Sequence, residues 1–132
     1  MKNSQWGLTV LRLVLGAVFI YHGWQKLFVF GVHGTAGFFG QVHIPLPLVA
    51  AVVVMLVEFL GGIALVLGLF TRWAGILLAL DMAGAIYFVH FRNGFEVGKG
   101  GYEFALTALA AAVALACSGP GAAALGGMVG RK

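Results

Sequence analysis

The run LVAAVVVMLVEFLGGIALVLGLF, residues 48–70, is apolar except for a single acid, Glu58, near its centre. A run of about 20 apolar residues is long enough to cross a bilayer as a helix. The run WAGILLALDMAGAIYFVHF, residues 73–91, repeats the pattern around Asp81. A carboxylate at the bilayer midplane costs roughly 2.5–3.5 kcal/mol on insertion scales. Each acid therefore needs a partner, a bound proton or a function that offsets this cost. A helix that only anchored the protein in the membrane would not require either acid.

The composition indicates an integral membrane protein. Of the 132 residues, 61% are hydrophobic and 9% are charged, and the mean hydropathy is +1.02; soluble domains carry about 25% charged residues. Membrane spans consume nearly the whole chain, so no separate catalytic domain is expected. Cys117 is the only cysteine, which excludes an intrachain disulfide and a CxxC redox motif. The net charge of +4 is dispersed, so nucleic acid is not an expected partner.

We predict an all-α, polytopic membrane protein, a bundle of four transmembrane helices that forms one domain over residues 1–132. The four spans are predicted at residues 7–30, 48–70, 73–91 and 102–118. The first is too long for a signal peptide and no small-residue cleavage site follows it, so it is expected to be retained. The glycine-containing segment 31–47, which ends in Pro45 and Pro47, predicts a short interfacial or re-entrant helix that would cover a pocket.

Positive charges predict the orientation. Five basic residues fall on the side of the N-terminus and three on the other, which favours an inner-membrane protein with both termini in the cytoplasm. The five are Lys2, Arg12, Arg72, Arg131 and Lys132, and the three are Lys26, Arg92 and Lys99.

The depth of each residue along its span and its angle around the helix axis identify the candidate site residues. At about 1.5 Å per residue, His22, Glu58 and Asp81 fall in one layer near the middle of their spans, and these three are the candidate catalytic residues. At about 100° per residue, His22 and Lys26 share the face of the first helix that also carries Arg12. The candidate substrate-binding residues are Lys26, Arg92, Glu103 and Arg12.

Several of these residues also have structural interpretations. Arg12 could be a snorkelling or topology residue, or it could pair with an acid. His22 could form a hydrogen bond between helices instead of transferring protons. Glu103 could simply begin the fourth helix, because an acid is favourable at the positive end of the helix dipole.

The sequence offers no convincing haem, flavin or metal site. Bis-histidine haem ligation would require His22 and His90, whose estimated depths differ by several ångströms. His33 and His43 could join His90 at a surface metal site, but their spacing on a glycine-rich loop is weak evidence. A mechanism like that of vitamin K reductase needs a cysteine pair, which the chain lacks. No flavin or iron–sulfur motif is evident.

The ordered motifs along the chain resemble the DoxX family. They are Leu11-Arg12-Leu13, Gly16, Phe19, His22-Gly23, Lys26-Leu27, Gly34-Thr35-Ala36-Gly37-Phe38-Phe39, Pro47, Glu58, Gly61-Gly62, Gly68, Thr71-Arg72, Asn93-Gly94-Phe95 and Gly100-Gly101-Tyr102-Glu103. The resemblance implies a four-helix bacterial inner-membrane protein, similar to the small membrane subunit associated with thiosulfate:quinone oxidoreductase or terminal quinol oxidase. It also implies soluble sulfur or oxidative-stress enzymes as partners. Asp81 is not among these motifs. A functional role for it is expected only because a carboxylate inside a membrane span is costly.

Three functions follow as hypotheses. In the first, the chain is a subunit of a quinone-linked oxidoreductase, and His22, Glu58 and Asp81 supply protons or hydrogen bonds to a quinone. In the second, the chain is a membrane scaffold that docks soluble oxidoreductases and performs no chemistry. In the third, it is a small-molecule or proton-coupled carrier, a reading supported by a weak internal repeat between the two helical hairpins. Faces of small residues also make a homo-oligomer plausible.

Overall fold

The computed structural model describes residues 2–126, and these are helical with no strand. The α-helices are α1 (Lys2–Trp24), α2 (Gly31–Gln41), α3 (Pro47–Leu67), α4 (Thr71–Ala85) and α5 (Glu103–Ser118). Each of α1 and α4 continues into one turn of π-helix, which we call the first π segment (Gln25–Val29) and the second π segment (Ile86–His90). Short 3-10 turns at Phe91–Asn93 and Val97–Lys99 lie in the connection to α5.

The predicted spans agree with the helices. Within the described residues, three helical stretches are long and apolar enough to cross a membrane: Asn3–Val29, Pro47–Leu67 and Thr71–Asn93. The fourth, Glu103–Ser118, is shorter and apolar. The chain is therefore a four-helix membrane protein, as expected from the sequence. The predicted short helix between the first and second spans is present as α2, which packs on α3 and buries Thr35 and Phe39.

The end of α3 differs slightly from the prediction, because backbone geometry stops the helix before the apolar run ends. Gly68 adopts φ 73°, which a residue with a side chain would find costly. The Leu69 N–H donates to the Ala64 carbonyl at 3.0 Å, the hydrogen bond of a Schellman ending. The chain then turns at once into α4, so the two apolar runs become an antiparallel pair.

Glycines bring the helices into backbone contact. A Cβ added to Gly62 on α3 would lie 2.7 Å from the Gly16 carbonyl oxygen and from the Ile20 nitrogen on α1. A Cβ added to Gly23 would lie 2.5 Å from the Phe59 nitrogen. On α4, a Cβ at Gly75 would lie 2.7 Å from the Ala112 carbonyl oxygen of α5. Small residues thus allow α1 to pack on α3 and α4 on α5, as transmembrane helices require.

The two hairpins are built alike. Arg12 near the start of α1 donates to the carbonyls of Leu65 and Val66 at the end of α3. Arg72 at the start of α4 donates in the same way to the carbonyls of Ala116 and Cys117 at the end of α5. In both halves a long helix ends in a π segment before the chain returns. This arrangement is the structural counterpart of the internal repeat that the sequence indicates.

Candidate functional site

A cavity of about 760 Å³ occupies the half of the bundle opposite to Arg12. That volume falls in the range of sites that enclose small organic ligands. All five α-helices contribute to its wall, which is mostly aromatic and aliphatic. The side chains that line it include Phe19, His22, Lys26, Phe30, Thr35, Phe38, Glu58, Leu80, Asp81 and Phe104.

An ion pair forms the polar end of this cavity. Lys26 Nζ donates to Glu58 Oε1 at 2.8 Å, and the Glu58 side chain is only 4% exposed. Lys26 lies in the first π segment, where the Phe30 N–H bonds to the Gln25 carbonyl five residues earlier. Such an inserted residue changes the direction of the following side chains and is common at functional sites. In the sequence prediction, Lys26 is assigned to substrate binding and is not included in the layer of His22, Glu58 and Asp81, whereas its long side chain reaches Glu58.

Asp81 and His22 complete the polar group. Asp81 lies on α4 close enough to Glu58 and Lys26 for their charges to interact. Its Oδ2 atom is buried and has no hydrogen-bond partner within residues 2–126. His22 is half-buried beside the same two charges, with its ring centroid 5.7 Å from that of Phe104. We call Lys26, Glu58, Asp81 and His22 the polar cluster; the three candidate catalytic residues therefore line one cavity.

Thr35 on α2 is a site residue that sequence reasoning did not single out. It lines the cavity, is 5% exposed, and its Oγ1 atom has no hydrogen-bond partner in the described part of the chain. The signal was present in the sequence, because Thr35 is the one hydroxyl residue in the segment 31–41, where glycine and apolar residues predominate. The sequence predicts that this short helix covers a pocket, but it does not indicate that Thr35 lies on the face that lines the cavity.

The cavity opens toward lipid between the start of α2 and α4. Phe30, Phe38 and Leu80 all line it, yet they are 58%, 46% and 65% exposed. Gly84 lies on the same stretch of α4, and a Cβ added there would meet no atom within 4 Å. Part of the cavity wall therefore reaches the outer surface of the bundle, where an apolar molecule in the bilayer would meet it.

Arg12 lies apart from the cavity, although it shares a sequence face with His22 and Lys26. It is 1% exposed, and all its donors are engaged by backbone carbonyls near the opposite end of the bundle. These carbonyls belong to Leu65, Val66, Pro120, Ala122 and Ala123, at 2.9–3.1 Å. With every N–H used in this way, the guanidinium has no donor left for a substrate. It joins α1 to the end of α3 and to the segment after α5.

Arg92 and Glu103 also lie outside the cavity wall. Arg92 is exposed and borders a separate hollow beside His43 and Tyr87. Glu103 Oε1 accepts a hydrogen bond from the Val97 N–H at 2.7 Å, so it orders the loop before α5. His90, next to this loop, shares a hydrogen bond of 2.8 Å with the Gly100 carbonyl. Residues 2–126 contain no group of three His, Cys, Asp or Glu side chains that could hold a metal ion.

Comparison with known proteins defines the relationship of the chain. The sequence model of the DoxX family matches residues 7–91. The chain belongs to the DoxX family. The match includes every member of the polar cluster as well as Thr35 and Arg12.

Curated DoxX-type relatives are bacterial. A Bacillus subtilis protein named "Putative oxidoreductase CatD" is 36% identical over 118 residues, 89% of this chain and 83% of the relative. A Haemophilus influenzae protein named "Uncharacterized protein" is 38% identical over 94% of this chain and 91% of the relative. The Escherichia coli "Inner membrane protein YqjF" is 30% identical over 99% of this chain and 98% of the relative. These names and the spanning helices indicate a bacterial membrane location. No solved structure matches the chain.

Proposed function

We propose that this DoxX chain is the membrane subunit of a quinone-linked oxidoreductase in the bacterial inner membrane, and that its cavity binds the quinone. The observation that carries the proposal is the form of the cavity: apolar walls, an opening toward lipid, and a buried polar cluster at one end. Membrane quinones have the matching form, an apolar tail and a ring with two carbonyl oxygens. One relative whose printed name includes "oxidoreductase" supports the reaction class.

The polar cluster is suited to proton handling. Reduction of a bound quinone takes up two electrons and two protons. Asp81 Oδ2 is buried without a partner beside Glu58, so this pair of acids can hold a proton and share it with a neighbouring oxygen. Lys26 donates a charge-assisted hydrogen bond to Glu58 across the 2.8 Å contact. His22, at the same wall, is a further group that can take up or release a proton beside these acids.

The source of the electrons is proposed to lie outside this chain. No flavin or iron–sulfur motif is evident in the sequence. We propose a soluble oxidoreductase partner as their source, in keeping with the thiosulfate, sulfur or oxidative-stress systems that the family resemblance implies.

A steric block at the mouth of the cavity tests the proposal. Gly84→Leu adds a side chain where open space exists and removes a glycine from a helix, so folding should not suffer. The matched control is Ala83→Leu, because Ala83 is the preceding residue of α4, is exposed, and does not line the cavity. We expect mass spectrometry of organic extracts to find close to one quinone per purified wild-type and Ala83→Leu protein, and a clearly lower occupancy in Gly84→Leu, because the added side chain fills space at the mouth of the cavity. Trace quinone that is equal in all three proteins would contradict the proposal and favour a scaffold or a carrier.

A further inference from the structure

The Thr35 hydroxyl makes no hydrogen bond where a helical threonine ordinarily can. Thr9 donates to the Gln5 carbonyl at 3.1 Å and Thr107 donates to the Glu103 carbonyl at 2.9 Å, each four residues earlier in its helix. Thr35 also lies inside a helix, α2, but its Oγ1 has no partner within residues 2–126. A buried hydroxyl without a partner destabilises a folded protein, and most buried polar groups are therefore paired.

The surroundings of Thr35 point to a ligand. The residue is 5% exposed and borders the same cavity as Glu58 and Asp81, but from α2, whereas those acids project from α3 and α4. In a helix, threonine populates two χ1 rotamers. A rotation about χ1 can therefore change whether the methyl group or the hydroxyl group of Thr35 faces the cavity.

We propose that the Thr35 hydroxyl donates a hydrogen bond to the molecule bound in the cavity, and that this molecule carries two separate hydrogen-bonding oxygens on one compact ring. One oxygen would lie at the polar cluster and the other at the α2 wall. This inference rests on the proposed function and deepens it, because it selects a ring with two carbonyls, such as a quinone, over lipids that have a single polar end. Thr35 is thus a positioning and specificity residue, distinct from the acids that handle protons.

The stability of variants separates this role from a structural one. Thr35→Val keeps the shape of the side chain and removes the unpaired hydroxyl. If the hydroxyl serves a ligand, the ligand-free protein should be as stable as wild type or more stable. If the hydroxyl serves the fold, the same substitution should lower the unfolding midpoint.

The test measures equilibrium binding of a decyl benzoquinone to the full chain in lipid nanodiscs, by quenching of tryptophan fluorescence. We expect Thr35→Val to weaken binding about tenfold, the loss typical of one unmade hydrogen bond in a closed site, and Thr35→Ser to bind like wild type. Thr107→Val is the control, because the Thr107 hydroxyl is exposed and bonded within its own helix.

The outcomes distinguish the two proposals. Weaker binding by Thr35→Val, rescue in Thr35→Ser and an unchanged or raised unfolding midpoint would support the role of Thr35. Equal quinone affinity in wild type and Thr35→Val would overturn that role and leave the quinone function intact. Failure of the wild-type protein to bind the quinone would overturn both.

Discussion

Lys26 and Glu58 form an ion pair in the middle of the bundle, and this contact governs how a substitution of either residue should behave. With Glu58 4% exposed, removing one partner leaves the other as an uncompensated charge in a medium of low dielectric constant. Removing both partners avoids that cost. A loss of activity after a single substitution at Glu58 would therefore combine a chemical effect with a structural one.

A double-mutant cycle at this pair should reveal strong coupling. We expect Lys26→Met and Glu58→Met each to lower the free energy of unfolding by about 3–5 kcal/mol, and the double variant to lose less than either single variant. Reversible unfolding in mixed detergent micelles measures these values. The control cycle uses Lys99 and Glu96, which are 3.6 Å apart but 77% and 69% exposed, and should show little coupling. Losses at Lys26 and Glu58 that simply add would show that the pair is not coupled in the membrane.

At the scale of the helices, the ends of α3 and α5 require donors, because the last carbonyls of a helix have no partner within it. In water such groups are solvated, but near a bilayer they need a donor from the protein. Arg12 supplies donors to the end of α3 and to the segment after α5, and Arg72 supplies them to the end of α5. The arginines thus complete helix ends, and the residue that resembled a substrate ligand in the sequence proves to be part of the packing.

Arg12→Lys should therefore destabilise the fold although it preserves the charge. One ammonium group cannot reach the five carbonyls that the planar guanidinium binds, so we expect a loss of about 3 kcal/mol in the free energy of unfolding. Arg72→Lys is the matched comparison and should cost less, because Arg72 is exposed and serves two carbonyls. Unfolding of both variants in the same detergent provides the measurement. Equal losses would mean that the additional bonds of Arg12 contribute nothing to stability.

At the scale of the whole molecule, two similar hairpins enclose one asymmetric site. The halves share their arginine contacts and their π segments, yet His22, Lys26 and Glu58 come from the first half and Asp81 from the second. The cavity lies toward one end of the bundle, and Arg12 and Arg72 lie toward the other. Orientation in the membrane therefore determines which compartment lies nearer to the polar cluster.

Labelling of cysteines should give the orientation. We expect Cys117, the only native cysteine and an exposed residue at the end of α5, to react with a membrane-impermeant maleimide in inverted vesicles and not in intact cells. Gly98→Cys in a Cys117→Ser background should show the reverse, since Gly98 lies in the opposite loop and a Cβ there meets no atom within 4 Å. The reversed pattern would contradict cytoplasmic termini. The predicted contributions of Arg131 and Lys132 to this orientation lie outside the described residues.

The membrane-spanning helices could be predicted from the apolar runs alone, because a run of about 20 apolar residues crosses a bilayer stably as a helix. The sequence also identified Glu58, Asp81 and His22, since polar groups in such runs stand out against their neighbours. Which polar side chains contact one another depends on the tertiary structure. It paired Lys26 with Glu58 through a π turn, turned Arg12 to backbone carbonyls, and brought Thr35 from a short helix to the cavity. These outcomes depend on helix rotation, side-chain reach and the close approach of distant segments, which a one-dimensional periodicity does not specify.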